Sequence, residues 1–555
     1  MCGIFCLVCP EGQHSEVEIL VQQALEKLKL RGPDAQKYDL HKVANKNVYM
    51  GFARLAIMDT SDAGMQPFEF PGTTDKSIDQ TKSIVSVTNG EIYNFEKLTK
   101  QWALETHTKC DCEIIAPLCM KVGFQKMISD QLDGEFATIV LDKGIKHLFA
   151  ARDRYGVRPL YIGVDVEKNR FGFASELKAL SHIFPWIQPV KPSDYYKIDL
   201  MQNVQNVQDL QALTYFEYTS LTTLEQQIKK STIKSTLRNL LTTAVEKRLH
   251  ADREIGFLLS GGLDSSLIVA IAAKIITADK IVCFSIGMEG SPDVEAAKEV
   301  VKFLGIKEHH IVPFTTEMGI EALPEVIEKI ETYDVTTIRA STAQYLLAKY
   351  ISEKTNIKVI LSGEGSDEAA GSYRYFRDAP DSQSFHWESV RLLEELYKFD
   401  CRRTDGATSD FGLEVRVPFL DFAYVDCIIR IDPELLMYKQ GQMEKQILRD
   451  AFKSYLPDSI LYRSKEAFSD AVSSENVNWA QTIKQLAETT ISDLEFETEI
   501  KTYEHKPISK EALYYRRIFE QYYKGHGQVL DSYWLPKFQT DKQITDPSAR
   551  VLKCY

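Results

Sequence analysis

A sheet-rich α+β part followed by an α/β part with a doubly wound parallel sheet and a helical end is the fold class this sequence predicts. Three observations predict it. Short β-prone runs separated by turn residues fill roughly the first 200 residues. Alternating strand and helix patterns then take over, which is the signature of a parallel sheet. After about Ser384 the apolar spacing is mainly helical. With 555 residues the chain is too long for one core, so two or three domains are expected.

In chain order, the β-prone runs of the front part are GIFCLV, VYMGFARLAIMD, KSIVSVTNGEIYN, ATIVLD, KHLFAARD and PLYIGV. EVEILVQQALEKLKL carries apolar residues at helical spacing, and a second helix is read around CEIIAPLCMKVGF. Met201 to Gln227 is rich in Gln, Asn and Thr and reads as a linker. EIGFLLS then leads into SSLIVAIAAKII, KIVCFSIG into DVEAAKEVVKFLG, and KVIL into a loop. The expected organisation is a first domain over residues 2–200, a linker over 201–227, a second domain over 228–537 and a tail over 538–555. No internal repeat or low-complexity tract is visible.

Apolar residues make up 44% and charged residues 26%, which fits a folded globular chain. The net charge of −13 repels phosphate backbones, so nucleic acid is not expected as a partner. No apolar run approaches the length of a spanning helix, so no membrane association is expected. Ten scattered cysteines form no dense disulfide framework, and the front lacks a basic n-region and a long apolar core. Both point to reduced thiols and a cytosolic location.

Chemistry concentrates in a few stretches. The chain opens MCGIFCLVC. Excision of Met1 ahead of the small Cys2 leaves a free α-amine, which titrates near 7.7 to 8.0 and can act as base for the thiol on the same residue. Cys2, Cys6 and Cys9 also have the C-x3-C-x2-C spacing of an iron–sulfur loop. That alternative is disfavoured because the segment itself reads as a strand, with Ile4, Cys6 and Val8 on one face. LLSGGLDSS, Leu258 to Ser266, runs a strand into a Gly–Gly turn and a helix start, which aims N–H groups and hydroxyls at an anion. It has no Walker lysine, which suits grip on a departing pyrophosphate. Asp264 in such a nest suggests a bound cation. VILSGEGSDEAAG, Val359 to Gly371, repeats the strand–loop form and carries Glu364, Asp367 and Glu368, which suggest Mg²⁺ and a base.

These stretches, with RGPD (Arg31 to Asp34), RLAIMD (from Arg54) and NGEIYN (from Asn89), make the whole chain resemble the glutamine-dependent asparagine synthetase family. The front resembles a class II glutamine amidotransferase, which implies an N-terminal nucleophile-type αββα sandwich. SGGLDSS resembles the pyrophosphate loop of the N-type ATP pyrophosphatases, shared with GMP and NAD synthetases. The resemblance implies that Cys2 attacks the glutamine amide, with Asn89 and Gly90 as the oxyanion hole. Arg54 would take the glutamine carboxylate, Glu91 and Asp111 its amino group, and the backbone of Leu55, Ala56, Ile57 and Met58 would line the pocket.

For the second domain the resemblance implies adenylation of aspartate by ATP, giving β-aspartyl-AMP and pyrophosphate. Leu258 and Ile286 would touch adenine, and Ser260, Gly261, Gly262, Asp264, Ser265 and Ser266 would hold pyrophosphate with Lys445. Ser362 and Gly363 would contact the nucleotide, and Glu364 would support adenylation. Asp264 and Asp367 are the Mg²⁺ candidates. A protected passage for ammonia and a homodimer are also implied.

Three residues depart from the pattern: Leu30 stands where histidine precedes RGPD, Cys6 replaces a small residue, and Ser372 replaces glycine. They put in doubt, respectively, local loop order, the packing near Cys2, and backbone strain if residue 372 needs a positive φ. A β-lactam synthetase-like enzyme is the nearest rival, and Cys2, Arg54, Asn89 and Asp111 argue against it. A sensor without catalysis is disfavoured by the intact SGGLDSS, Glu364 and Asp367.

Overall fold

The computed structural model describes residues 1–71, 82–218, 231–439, 441–464, 472–473 and 477–538. The expected linker over 219–227 and nearly all of the expected tail lie outside the described residues. The chain forms two compact units. One is Met1–Glu217 with the short segment Ser409–Leu413, and the other is Tyr218–Thr408 with Glu414–Tyr555.

The first unit stacks two six-stranded sheets. Its strands are β1 (Gly3–Pro10), β2 (Ala35–Val43), β3 (Lys46–Arg54), β4 (Phe68–Phe70), β5 (Ile84–Ile92), β6 (Gly134–Asp142), β7 (His147–Arg152), β8 (Tyr161–Asp165), β9 (Arg170–Ala174), β10 (Trp186–Pro189), β11 (Asp194–Asp199) and β12 (Ala212–Thr214). The sheet orders are β10-β8-β9-β1-β3-β2 and β12-β11-β7-β6-β5-β4, and every pairing within them is antiparallel. Alternation along β1 places Ile4, Cys6 and Val8 in the inter-sheet core with Phe52, Val87 and Ile139. The helix His14–Leu28 buries Val17, Val21, Leu25 and Leu28 against the outer face of the first sheet. Helices Phe95–Trp102 and Ile115–Val122 pack with Phe136 and Phe149 on the outer face of the second. The layers are therefore αββα, as the resemblance implies.

Two details depart from the sequence reading. β3 ends at Arg54, so Leu55 to Met58 leave the sheet as a loop instead of continuing the strand. Ala212–Thr214, inside the stretch read as linker, pairs with β11. β2 escaped notice because AQKYDLHKV is polar and largely exposed at a sheet edge.

The second unit carries a parallel five-stranded sheet in the order β15-β14-β13-β16-β17. Its strands are β13 (Ile255–Leu258), β14 (Val282–Gly287), β15 (Glu308–Pro313), β16 (Val359–Leu361) and β17 (Glu414–Arg416). Helix Leu263–Ile275 follows β13, and Pro292–Leu304 follows β14 and stops at Gly305 with φ 70°. The strand order reverses between β13 and β16, and a doubly wound sheet opens a crevice at such a switch point. The helical end includes Ser382–Glu395, Asp400–Ser409, Trp479–Thr490 and Lys510–Tyr522. Among the described residues no helix is long and apolar enough to cross a membrane.

Candidate functional site

In the first unit, Cys2 directly precedes β1, and its Sγ lies 3.4 Å from both Leu55 N and Leu55 O. Arg31 Nε donates to Cys2 O at 2.6 Å, so the RGPD loop fixes the backbone of the nucleophile candidate. Asp34 of that loop accepts the Ala56 N–H at 2.8 Å, which ties it to the Leu55–Met58 loop. Arg54 braces the same loop. Its Nη1 donates to Ser61 O at 2.6 Å and its Nη2 to Asp59 O. Asp59 in turn accepts Lys109 N–H at 2.9 Å, joining this loop to the one that carries Asp111.

Asn89, Gly90 and Glu91 lie on β5. Gly90 has φ 131°, and a Cβ there would meet Glu135 O at 1.9 Å, so only glycine fits. Gln66 clasps Thr88 through both its N–H and its C=O, which steadies the strand just before Asn89. The Asn89 side chain is fully buried, and neither its Oδ1 nor its Nδ2 has a hydrogen-bond partner. Glu91 and Asp111 are also buried, and Asp111 Oδ2 accepts the Ile92 N–H at 2.6 Å.

A buried ionic chain supports Arg31. Its Nη1 meets Glu176 at 3.1 Å, Glu176 meets Lys178 at 3.0 Å, and Lys178 meets Asp410 at 2.7 Å. Although burial opposes it, the charges of Lys178 and Arg31 and their hydrogen bonds carry the Glu176 pKa down to about 2. A depressed carboxylate stabilises the fold above its unfolded pKa near 4.5, and that stability disappears as pH falls toward 2. In acid titration followed by circular dichroism, Glu176→Gln is expected to flatten the loss of stability between those values. An unchanged profile counts against the pairing. At neutral pH the variant leaves Arg31 short of a buried partner and is expected to be less stable.

In the second unit the ends of β13 and β16 open into a cavity of about 220 Å³. Leu258, Ser260, Gly262, Asp264, Ser265, Ile286, Ser362, Gly363, Glu364, Asp367 and Lys445 all line it. Gly261 and Ser266 are not among its lining residues. Gly261 takes φ 76° and packs under the loop, where a Cβ would come within 2.6 Å of Ala297 N, and Ser266 is fully buried. The loop is knit by its own hydroxyls, with Ser260 Oγ 3.0 Å from Ser265 Oγ. Ser366 Oγ donates to Asp264 Oδ1 at 2.8 Å, joining the two strand-end loops.

Lys445 Nζ lies 2.7 Å from Asp264 Oδ2 and 2.7 Å from Asp367 Oδ1, so both carboxylates converge on one positive charge. Glu364 pairs with Arg403 at 2.6 Å, and Arg403 also meets Asp400 at 2.7 Å. Burial, with Asp400 and Asp367 nearby, pushes Glu368 well above the usual carboxylate range, and it accepts from the Tyr373 hydroxyl. The sequence reading missed Arg403, Asp400, Tyr373, Thr336, Thr337 and Arg339, all of which line the cavity. One signal was available: Asp334 precedes Val335–Lys354 and caps it through Thr337 N, a helix start that aims Thr336 and Thr337 inward.

The three departures are absorbed locally. Leu30 is half exposed, and the loop beyond it is held by Gly32 N to Leu28 O at 3.1 Å. Cys6 fills the inter-sheet core against which Cys2 packs, burial raises its pKa strongly, and the described cysteines are all free thiols. Ser372 does not take a positive φ; Gly371 does, at 58°. The strain considered for Ser372 therefore does not arise, and its hydroxyl donates to Asp367 Oδ1 at 2.5 Å. The iron–sulfur alternative finds no support in the described residues, since Cys6 and Cys9 lie inside β1.

An antiparallel sandwich with a thiol before its first strand and a parallel sheet whose Gly–Gly strand-end loop lines a cavity fit a two-part enzyme of the amidotransferase class. The glutamine amidotransferase domain family matches residues 1–228, and the asparagine synthase family matches residues 236–385 and 377–545. The chain belongs to the asparagine synthase family. A probable glutamine-hydrolysing asparagine synthetase of Acanthamoeba polyphaga mimivirus is 52% identical over 562 residues, spanning all of both chains. The glutamine-hydrolysing asparagine synthetases of Gallus gallus and Cricetulus griseus are each 40% identical over 578 residues, covering 100% of this chain and 99% of theirs.

Proposed function

We propose that the chain forms L-asparagine from L-aspartate and ATP with nitrogen from L-glutamine, releasing AMP, pyrophosphate and glutamate through a β-aspartyl-AMP intermediate. The observation that carries the glutamine half is the Asn89 amide, buried beside Gly90 with both polar atoms unpartnered. An unsatisfied buried polar group costs about 1–3 kcal/mol, and a developing oxyanion is an acceptor that would repay the Nδ2 donor.

With Met1 removed, the nitrogen of Cys2 becomes an amine and takes the proton from Sγ. The thiolate attacks the glutamine side-chain carbonyl, and Asn89 Nδ2 and Gly90 N–H stabilise the oxyanion. The amine returns the proton to the departing nitrogen, and water releases glutamate from the thioester. Arg54 would hold the glutamine carboxylate through the N–H donors that its two loop bonds leave. Glu91 and Asp111 would take the amino group. Because the amide of Asn89 has no partner to lose, Asn89→Ala is expected to keep the thermal midpoint while lowering the glutaminase kcat by about 10²–10³-fold. A glutaminase assay beside a melting curve reads both. Undiminished kcat would remove Asn89 from the oxyanion hole.

In the second unit, the β-carboxylate of aspartate attacks the α-phosphorus of ATP and pyrophosphate leaves. Ser260 to Ser266 and Lys445 would hold the pyrophosphate, Leu258 and Ile286 the adenine, Ser362 and Gly363 the nucleotide, while Glu364 supports the step. Asp264 and Asp367 suit a hard divalent cation, because both carboxylates already face one positive charge. They would hold Mg²⁺, which supplies charge neutralisation for the phosphates when bound. Ammonia then attacks the acyl-adenylate and AMP leaves. Since free ammonia at neutral pH is mostly ammonium, transfer without release to solvent is part of the proposal, as are a homodimer and a cytosolic setting. Intact-mass analysis of the chain start together with aspartate-dependent pyrophosphate release tests the two halves. Retained Met1 in fully glutamine-competent protein, or pyrophosphate release without aspartate, would refute the corresponding half.

A further inference from the structure

The segment ahead of helix Ile115–Val122 carries two thiols that the proposed reaction does not use. Cys110 and Cys112 flank Asp111, and their sulfurs and an Asp111 oxygen all lie within 4.8 Å of one another. Cys110 Sγ is 3.9 Å from Asp111 Oδ1, and Cys112 Sγ is 3.6 Å from Asp111 Oδ2. Cys112 also donates to Gly90 O at 3.4 Å. The thiol pair is thus wired to two residues read above as glutamine contacts, and the inference rests on that reading.

Both thiols are buried, but they differ in what they face. Cys110 lines a groove of about 330 Å³ with Phe95, Thr99, Lys100, Thr106 and Thr108. Cys112 lies deeper. Its hydrogen bond with Cys110, its burial and the Asp111 charge all hold its thiol protonated. Cys110 is therefore the point of entry and Cys112 the resolving partner.

We propose that Cys110 and Cys112 form a reversible disulfide that switches glutamine binding off, with a low-molecular-weight disulfide as oxidant. The Cys110 thiol loses its proton to solvent and attacks one sulfur of the oxidant. That S–S bond breaks, one thiolate leaves, and a mixed disulfide forms. Cys112 then gives up its proton and attacks Cys110 Sγ, and the second oxidant sulfur leaves as a thiol. Two protein thiols are oxidised to one disulfide, and the oxidant is reduced to two thiols. The sulfurs must close to about 2.05 Å on either side of Asp111. Closure turns the Asp111 carboxylate and ends the donation from Cys112 to Gly90 O. The protonated state of Cys112 makes the switch slow.

The test uses the full chain carrying Cys2→Ala, so that oxidation of the nucleophile cannot contribute. Glutathione disulfide is the probe, followed by peptide mapping by mass spectrometry and calorimetric titration with glutamine. The expected result is a Cys110–Cys112 linkage, reversed by dithiothreitol, with glutamine affinity about tenfold or more weaker in the oxidised chain. Adding Cys110→Ser should remove both effects. Absence of the linkage overturns the proposal, as does unchanged affinity once the linkage is present, or equal weakening in the Cys110→Ser chain. Failure of the reduced chain to bind glutamine is a different result and strikes the glutamine reading itself.

Discussion

Cys2→Ala is expected to abolish glutamine-dependent asparagine formation, by about four orders of magnitude or more, while ammonia-dependent formation continues. The expectation follows from where the chemistry sits. The thiol lies directly before β1 in the first unit, whereas the described residues that line the cavity that would take ATP and aspartate all belong to the second. Cys2 is only partly buried, at the margin of the inter-sheet core with its Sγ against the Leu55 backbone, so the substitution removes little core volume. Parallel assays with glutamine and with an ammonium salt read the outcome. Loss of both activities together would contradict the assignment of the two reactions to separate units.

Glu364→Gln is expected to lower aspartate-dependent pyrophosphate exchange by about 10²-fold or more and to leave glutaminase activity intact. Glu364 lines the cavity and shares Arg403 with Asp400. The amide keeps the volume and removes the charge. Arg403 keeps its bond to Asp400, so the buried guanidinium is not stranded, and the variant should fold. Exchange measured with labelled pyrophosphate is the readout. Undiminished exchange in a variant with a normal melting curve would place Glu364 outside the reaction.

Much of the frame was legible because apolar periodicity encodes it. β1 stands out since it is buried along nearly its whole length and reads as a dense apolar run, while β5 and β13 show β-prone apolar residues running into turn residues. β2 and β15 did not stand out, because AQKYDLHKV and EHHIVP are edge strands with many polar residues, whose order comes from pairing with β3 and β14. The same divide runs through the sites. Ser260 to Ser266 and Asn89 to Glu91 were legible as contiguous motifs tied to strand ends. Arg403 and Asp400 were not, because they reach the cavity from helix Asp400–Ser409, whose polar sequence gives no sign of which face is buried. Arg54 shows a further limit: the resemblance implied a carboxylate ligand, and the structure gives its Nη groups a task in bracing the Asp59–Ser61 turn.

The strand that begins directly after Cys2 sits between β3 and β9, paired along its length with the first and over Phe5 to Val8 with the second. Many segments open locally at negligible cost, but this strand is sewn into the middle of a sheet. The thiol's alignment therefore cannot be lost in small local excursions. Its persistence is that of the sandwich as a whole, and mild heating should spare its register until the layers part cooperatively.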